Sequence, residues 1–180
     1  AIPSGAQSML RESKSPNPLA PLGTDSFQSP KKAKLIYNIL WFAFFMSLHV
    51  YVIVCYVVSK DMNFHQRQTL DLLLPVLAAL GLAMLTTGLG IIKWQLSPQK
   101  IASHKTQETA MQRILTFGLT GMAMIESVAI FGLMLVFMGF RPYHFYIFYA
   151  AATGGIILSR ILAEPAWKYV EQDNDRRPHM

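Results

Sequence analysis

Cysteine and acidic side chains are both scarce in this sequence. Cys55 is the one cysteine among 180 residues, so the chain can form neither an intrachain disulfide nor a metal site built from several cysteines. Aspartate and glutamate number only 10, and charged residues make up 14% of the chain, against about a quarter in ordinary soluble domains. Ser-His-Asp, metal-ligand and phosphate-binding patterns are absent as well, so we predict no catalytic residue, no metal and no cofactor.

Apolar residues, in contrast, are abundant and come in long blocks. They make up 52% of the chain and concentrate at residues 35–58, 72–92, 114–138 and 145–163. About 20 helical residues cross the hydrocarbon layer of a bilayer, and the blocks lack the two-residue alternation of strands. We therefore predict an all-α integral membrane bundle of four transmembrane helices over residues 35–165. A flexible arm rich in proline and serine, residues 1–34, precedes it, and a polar tail, residues 166–180, follows it.

The basic residues are distributed unevenly around these blocks. Of 16 lysines and arginines, 13 precede the first block, lie between the second and third, or lie at or beyond the end of the fourth. Only Lys60, Arg67 and Arg141 fall on the other side. Because cytoplasmic loops carry the excess of positive charge, both termini and the middle loop are predicted to be cytoplasmic. The net charge of +6 thus reflects orientation in the bilayer, and we predict no nucleic-acid partner.

One acid, Glu126, lies near the middle of the third block with no other charge within that span. An acid at this depth is costly when ionised, which favours its neutral form and makes a functional role the default interpretation. It could bind a proton or another ion, or it could hydrogen-bond a neighbouring helix. His49 lies at a similar depth in the first block, and we predict His49 or the adjacent Ser127 as its partner. Haem ligation by His49 is disfavoured, because no second histidine lies at that depth.

Small residues recur in the second, third and fourth blocks. In membranes, small residues let helix backbones approach closely, so we predict close packing of these three helices. The first block is bulky and aromatic, and is expected to face lipid or to form a docking surface. The glycines predicted at helix contacts are Gly81, Gly88, Gly118, Gly121, Gly132, Gly154 and Gly155.

Residues 123–133 carry an acid, small residues on either side of it and a final Phe131-Gly132-Leu133 step. This segment resembles the carboxylate helix of rotor-ring proteolipids, the c subunits of rotary ATP synthases. The resemblance implies that Glu126 binds a proton or sodium ion, and that the protein is an oligomer in an energy-coupling membrane such as the bacterial inner membrane. It covers about a third of the chain, and the loop between the second and third blocks lacks the short Arg-Gln-Pro signature of that family.

Two functional hypotheses follow from these observations. The first is a non-enzymatic integral membrane subunit that packs in the bilayer with other membrane subunits or with copies of itself, since the loops leave little surface for a substrate. The second is a proteolipid-like subunit that translocates protons or sodium ions through Glu126.

Overall fold

The computed structural model describes residues 29–61, 72–103 and 107–176. Its helices are α1 (Pro30–Asp61), α2 (Leu73–Gln95), α3 (Pro98–Ala102), α4 (Gln107–Phe137) and α5 (Pro142–Arg176). All except the five-residue α3 are long and apolar enough to span a membrane. The predicted all-α fold with four such helices is therefore confirmed, while most of the predicted N-terminal arm, residues 1–28, lies outside the described residues.

The helices are longer than the apolar blocks that predicted them, most of all α5. The fourth apolar block ends at residue 163, whereas α5 continues to Arg176, through most of the predicted polar tail. Pro165 lies inside this helix. Ala163, Ala166, Trp167 and Val170 are buried at helical spacing, so an apolar stripe extends beyond the block itself. At the other end of the chain, residues 30–34 of the predicted arm belong to α1.

The centre of the bundle is the pair formed by α4 and α5. Gly139 connects the two helices in the left-handed region, with φ of 89°. Its N–H donates to Val136 O (2.9 Å), and the Phe140 N–H donates to Leu135 O (3.0 Å). This is the Schellman arrangement that glycine favours at a helix C-terminus. Pro142 then begins α5, where its missing N–H leaves no helical hydrogen bond unmade.

The other two long helices, α1 and α2, both pack on this central pair and are scarcely in contact with each other. Tyr37 near the start of α1 meets Gly118 on α4 and the Trp167 ring on α5. At the other end of α1, Cys55 packs with Val136 and Phe145. The start of α1, the start of α4 and the end of α5 therefore lie at the same end of the bundle.

Candidate functional site

Glu126 of α4 is joined to α1 by two side-chain hydrogen bonds. The Tyr51 hydroxyl donates to Glu126 Oε1 over 2.8 Å, and Ser47 Oγ is hydrogen-bonded to the same oxygen. Ser47 and Tyr51 are four residues apart in one helix, so their side chains share a face. Both groups that reach the carboxyl are neutral hydroxyls, and neither supplies a compensating positive charge.

The site lies at the margin of the α1–α4 interface. Glu126, Ser47 and Tyr51 are each half-buried, whereas the neighbouring Ile125 of α4 and Leu48 of α1 are fully buried. The carboxyl group is thus covered by α1 on one side and reachable from outside the chain on the other. Across the described ranges, no group of three His, Cys, Asp or Glu side chains could hold a metal ion.

Neither predicted partner of the carboxyl is brought to it. The His49 ring is hydrogen-bonded through Nδ1 to the Phe45 carbonyl oxygen of its own helix (2.9 Å) and lies edge-on to the Tyr149 ring of α5. Ser127 Oγ donates to the Ala123 carbonyl oxygen over 2.9 Å. The prediction placed Glu126 at the same depth as the segment of α1 that does contact it. Successive helical residues turn by about 100°, so His49, two residues from Ser47, points away from the face that carries Ser47.

Ser47 and Tyr51 were missed because a serine and a tyrosine in a bulky apolar helix are unremarkable as residue types. The available signal was their spacing. They are the two hydroxyl residues that flank His49 at the depth of Glu126, and they are four residues apart.

Six of the seven glycines predicted at helix contacts lie against a neighbouring helix. At Gly88 a Cβ atom would lie 2.8 Å from the Gly121 carbonyl oxygen, and at Gly121 it would lie 2.5 Å from Ile92 Cγ1, so α2 and α4 touch along their backbones. The others meet side chains of the bundle; they are Gly81, Gly118, Gly132 and Gly155. Gly154 is placed differently from the prediction, because it is exposed and a Cβ there would meet nothing within 4 Å in the part of the chain that the structure describes.

Further polar contacts hold the first half of α1 to α5. The Trp41 indole N–H donates to the Ile156 carbonyl oxygen over 2.9 Å, and the Arg160 guanidinium lies 4.7 Å from the centre of the Trp41 ring. One turn after the start of α1, Lys34 Nζ lies 3.6 Å from Glu164 and 3.2 Å from Glu171. These contacts bring α1 alongside α4 in the register that places Ser47 and Tyr51 at Glu126.

The fold and the site together define a helical membrane protein that carries a hydroxyl-bonded carboxyl between two of its spans. Comparisons of the chain with protein-family models, with curated proteins and with solved structures found no match.

Proposed function

We propose that this protein is a non-enzymatic membrane subunit that associates, within the bilayer, with further membrane subunits or with copies of itself. The observation that carries the proposal is a pair of glycines left open on the outside of the bundle. Gly90 of α2 and Gly154 of α5 are exposed, and a Cβ at either position would meet no atom of the described residues within 4 Å.

These open glycines differ from those inside the bundle. Glycine within a helix costs about 1 kcal/mol relative to alanine, and at Gly88 or Gly121 close backbone contact offsets that cost. Among the residues that the structure describes, none offsets that cost at Gly90 or Gly154. Exposed alanines extend both positions along their helix faces, with Ala79 and Ala83 preceding Gly90, and Ala150 preceding Gly154.

The outward face of α1 has the opposite composition. Its exposed side chains are large and apolar, including Ile39, Phe42, Val50 and Ile53. Large side chains suit contact with lipid, whereas small ones permit the approach of another helix. The proposal therefore assigns α1 to lipid and the outward faces of α2 and α5 to partner helices.

The placement of charge supports the proposed orientation, with both termini in the cytoplasm. The bundle end formed by the starts of α1 and α4 and the end of α5 carries Lys31, Lys32, Arg113 and Lys168, as the bias of basic residues toward cytoplasmic segments requires. Protease treatment of sealed vesicles of known sidedness tests this orientation. Cleavage of residues 1–28 from the outer face alone would refute it.

Association is tested by extraction in a gentle detergent, followed by native mass spectrometry and identification of co-purifying chains. We expect complexes of more than one chain, and we expect Gly154→Leu or Gly90→Leu to disperse them while leaving the thermal unfolding of the single chain almost unchanged. Ala43→Leu, the same kind of small-to-large change at an exposed position of the lipid-facing helix α1, is the matched control and should leave the complexes intact. A monomer in native nanodiscs would overturn the proposal.

A second candidate, an ion-translocating subunit that uses Glu126, draws support from the half-exposed carboxyl at an intramembrane position. Such a subunit would lie in an energy-coupling membrane. Glu126→Gln should then abolish proton or sodium movement in reconstituted vesicles while leaving the assembled protein intact. Unchanged ion movement in that variant would exclude this role.

A further inference from the structure

The hydrogen bonds around Glu126 can be counted against the protons available for them. Ser47 Oγ lies 2.7 Å from the Phe44 carbonyl oxygen and is also in hydrogen-bond contact with Glu126 Oε1. Tyr51 donates to that same Oε1. The chain of four oxygens, from Tyr51 through Glu126 and Ser47 to Phe44, therefore contains three contacts, and each contact needs one proton.

Two of these protons come from the tyrosine and serine hydroxyls, since each hydroxyl has a single O–H. The Phe44 carbonyl has none to give. If Glu126 were ionised, the one Ser47 proton could fill only one of its two contacts, and the other would bring two oxygen lone pairs together. A carboxylic acid proton supplies the third donor.

We propose that Glu126 is a neutral acid whose proton completes this chain, and that α1 docks on α4 in the protonated state. Tyr51 donates to Glu126 Oε1, the Glu126 O–H donates to Ser47 Oγ, and Ser47 donates to the Phe44 carbonyl. Loss of the acid proton leaves one contact without a donor and places a charge at the edge of the α1–α4 interface. The ligand of this site is a single proton, and its release weakens the docking of α1.

The other titratable groups on the surrounding helices have different contacts, so Glu126 is the group whose protonation controls the docking of α1. On α1, His49 faces Phe45 and Tyr149, and Cys55 packs one turn beyond Tyr51 with Val136 and Phe145. On α5, Tyr149 lies against His49, and Arg160 lies over Trp41, nearer the cytoplasmic end. Between Leu73 and Ile92, α2 contains no ionisable side chain.

Infrared spectroscopy of the protein in lipid tests the protonation state. At neutral pH, acids exposed to water are ionised, so a carboxylic acid C=O stretching band should be present in the native protein and absent from Glu126→Gln. Ser47→Ala should shift that band, because it removes the acceptor of the acid proton. Ser127→Ala is the matched control and should leave it in place, since that hydroxyl donates to the Ala123 carbonyl oxygen of its own helix. A carboxylate band in place of the acid band would overturn the proposal.

Docking of α1 is tested through Cys55, which is fully buried where α1 meets α4 and α5. Membrane-permeant thiol reagents should label it slowly while α1 is docked. Raising the pH should accelerate labelling about tenfold more in the native protein than in Glu126→Gln, which corresponds to about 1.4 kcal/mol. Glu126→Gln is the reference because its amide keeps a donor for Ser47 at every pH. Comparison with this variant also corrects for the rise in thiol reactivity that higher pH causes in both proteins.

Equal pH responses in the two proteins would overturn the proton-dependent docking. This inference rests on the proposed membrane placement of Glu126 and concerns the state of that one site. The infrared band and the Cys55 labelling rate are both properties of a single chain. Failure of this inference is therefore distinct from a failure of association, which native mass spectrometry measures separately.

Discussion

The helices α1 and α2 dock on the same central pair, but by different physical means. The α2 contact is built on glycines, with Gly88 of α2 against Gly121 of α4, and Gly81 against Phe148 of α5. The α1 contact is built on large side chains and polar groups: Trp41 bonds the α5 backbone, while Ser47 and Tyr51 bond Glu126.

This difference shows two ways of holding a helix where lipid removes most of the hydrophobic driving force. Close backbone contact gains dispersion energy that lipid cannot replace, and interhelical hydrogen bonds satisfy polar groups that lipid cannot solvate. The first depends on shape alone. The second depends on protonation and on charge, so we expect α2 to be the constant part of the bundle and α1 the adjustable part.

The sharpest way to break the α2 contact is Gly88→Leu. The new Cβ would lie 2.8 Å from a backbone oxygen of α4 that cannot move aside as a flexible side chain would. We expect the free energy of unfolding to fall by about 3 kcal/mol, as overpacking does in well-packed cores, at every pH tested. Denaturant unfolding in detergent micelles, followed by tryptophan fluorescence, measures the change.

Gly90→Leu is the control for that variant, because two residues further along the same helix the added side chain meets open space. Leucine is a better helix former than glycine, so helix propensity alone would favour both variants. Equal destabilisation by both substitutions would show that contact with α4 does not account for the effect.

A smaller loss is expected from Glu126→Leu, which removes the acceptor of Tyr51 and the partner of Ser47. Interhelical hydrogen bonds in membranes contribute about 0.6 kcal/mol on average and at most about 2 kcal/mol, so we expect a loss of about 2 kcal/mol from the two together. Glu126→Gln retains both donor and acceptor atoms and should change the free energy of unfolding by less than about 0.5 kcal/mol. The same unfolding measurement compares the two. A glutamine variant as unstable as the leucine variant would mean that the carboxyl is not acting through these hydrogen bonds.

The smallest effect belongs to the ion pairs at the start of α1. Lys34, Glu164 and Glu171 are partly exposed, with side-chain exposures of 25%, 43% and 35%. Exposed pairs contribute between about 0 and 1 kcal/mol, so Lys34→Met should reduce stability by about 0.5 kcal/mol in low salt. The difference should vanish in high salt, because ions screen the pair. A loss that persists in high salt would assign the role of Lys34 to packing.

The four long apolar helices and the contacts made by small residues could be predicted from the sequence. The block at 114–138 became α4, and Gly88 and Gly121 lie in the close contact that small residues favour. The helix ends were predicted less well, because Trp167 and Val170 follow Pro165 and are buried in the folded bundle, where the Trp167 ring packs on Tyr37 of α1. Hydropathy averaged over consecutive residues does not detect a stripe of apolar residues on one face of an otherwise polar helix segment.

By itself, the sequence determined that the chain forms long apolar helices and that one of them carries an acid, Glu126. Both follow from composition along a single helix, where length and depth are set by about 1.5 Å of rise per residue. The rotation of α1 was decided only in the tertiary structure, by contacts such as that of Trp41 with Ile156. That rotation placed Ser47 and Tyr51 at the carboxyl and turned His49 toward Tyr149, because residues at equal depth on two helices meet only when their faces do.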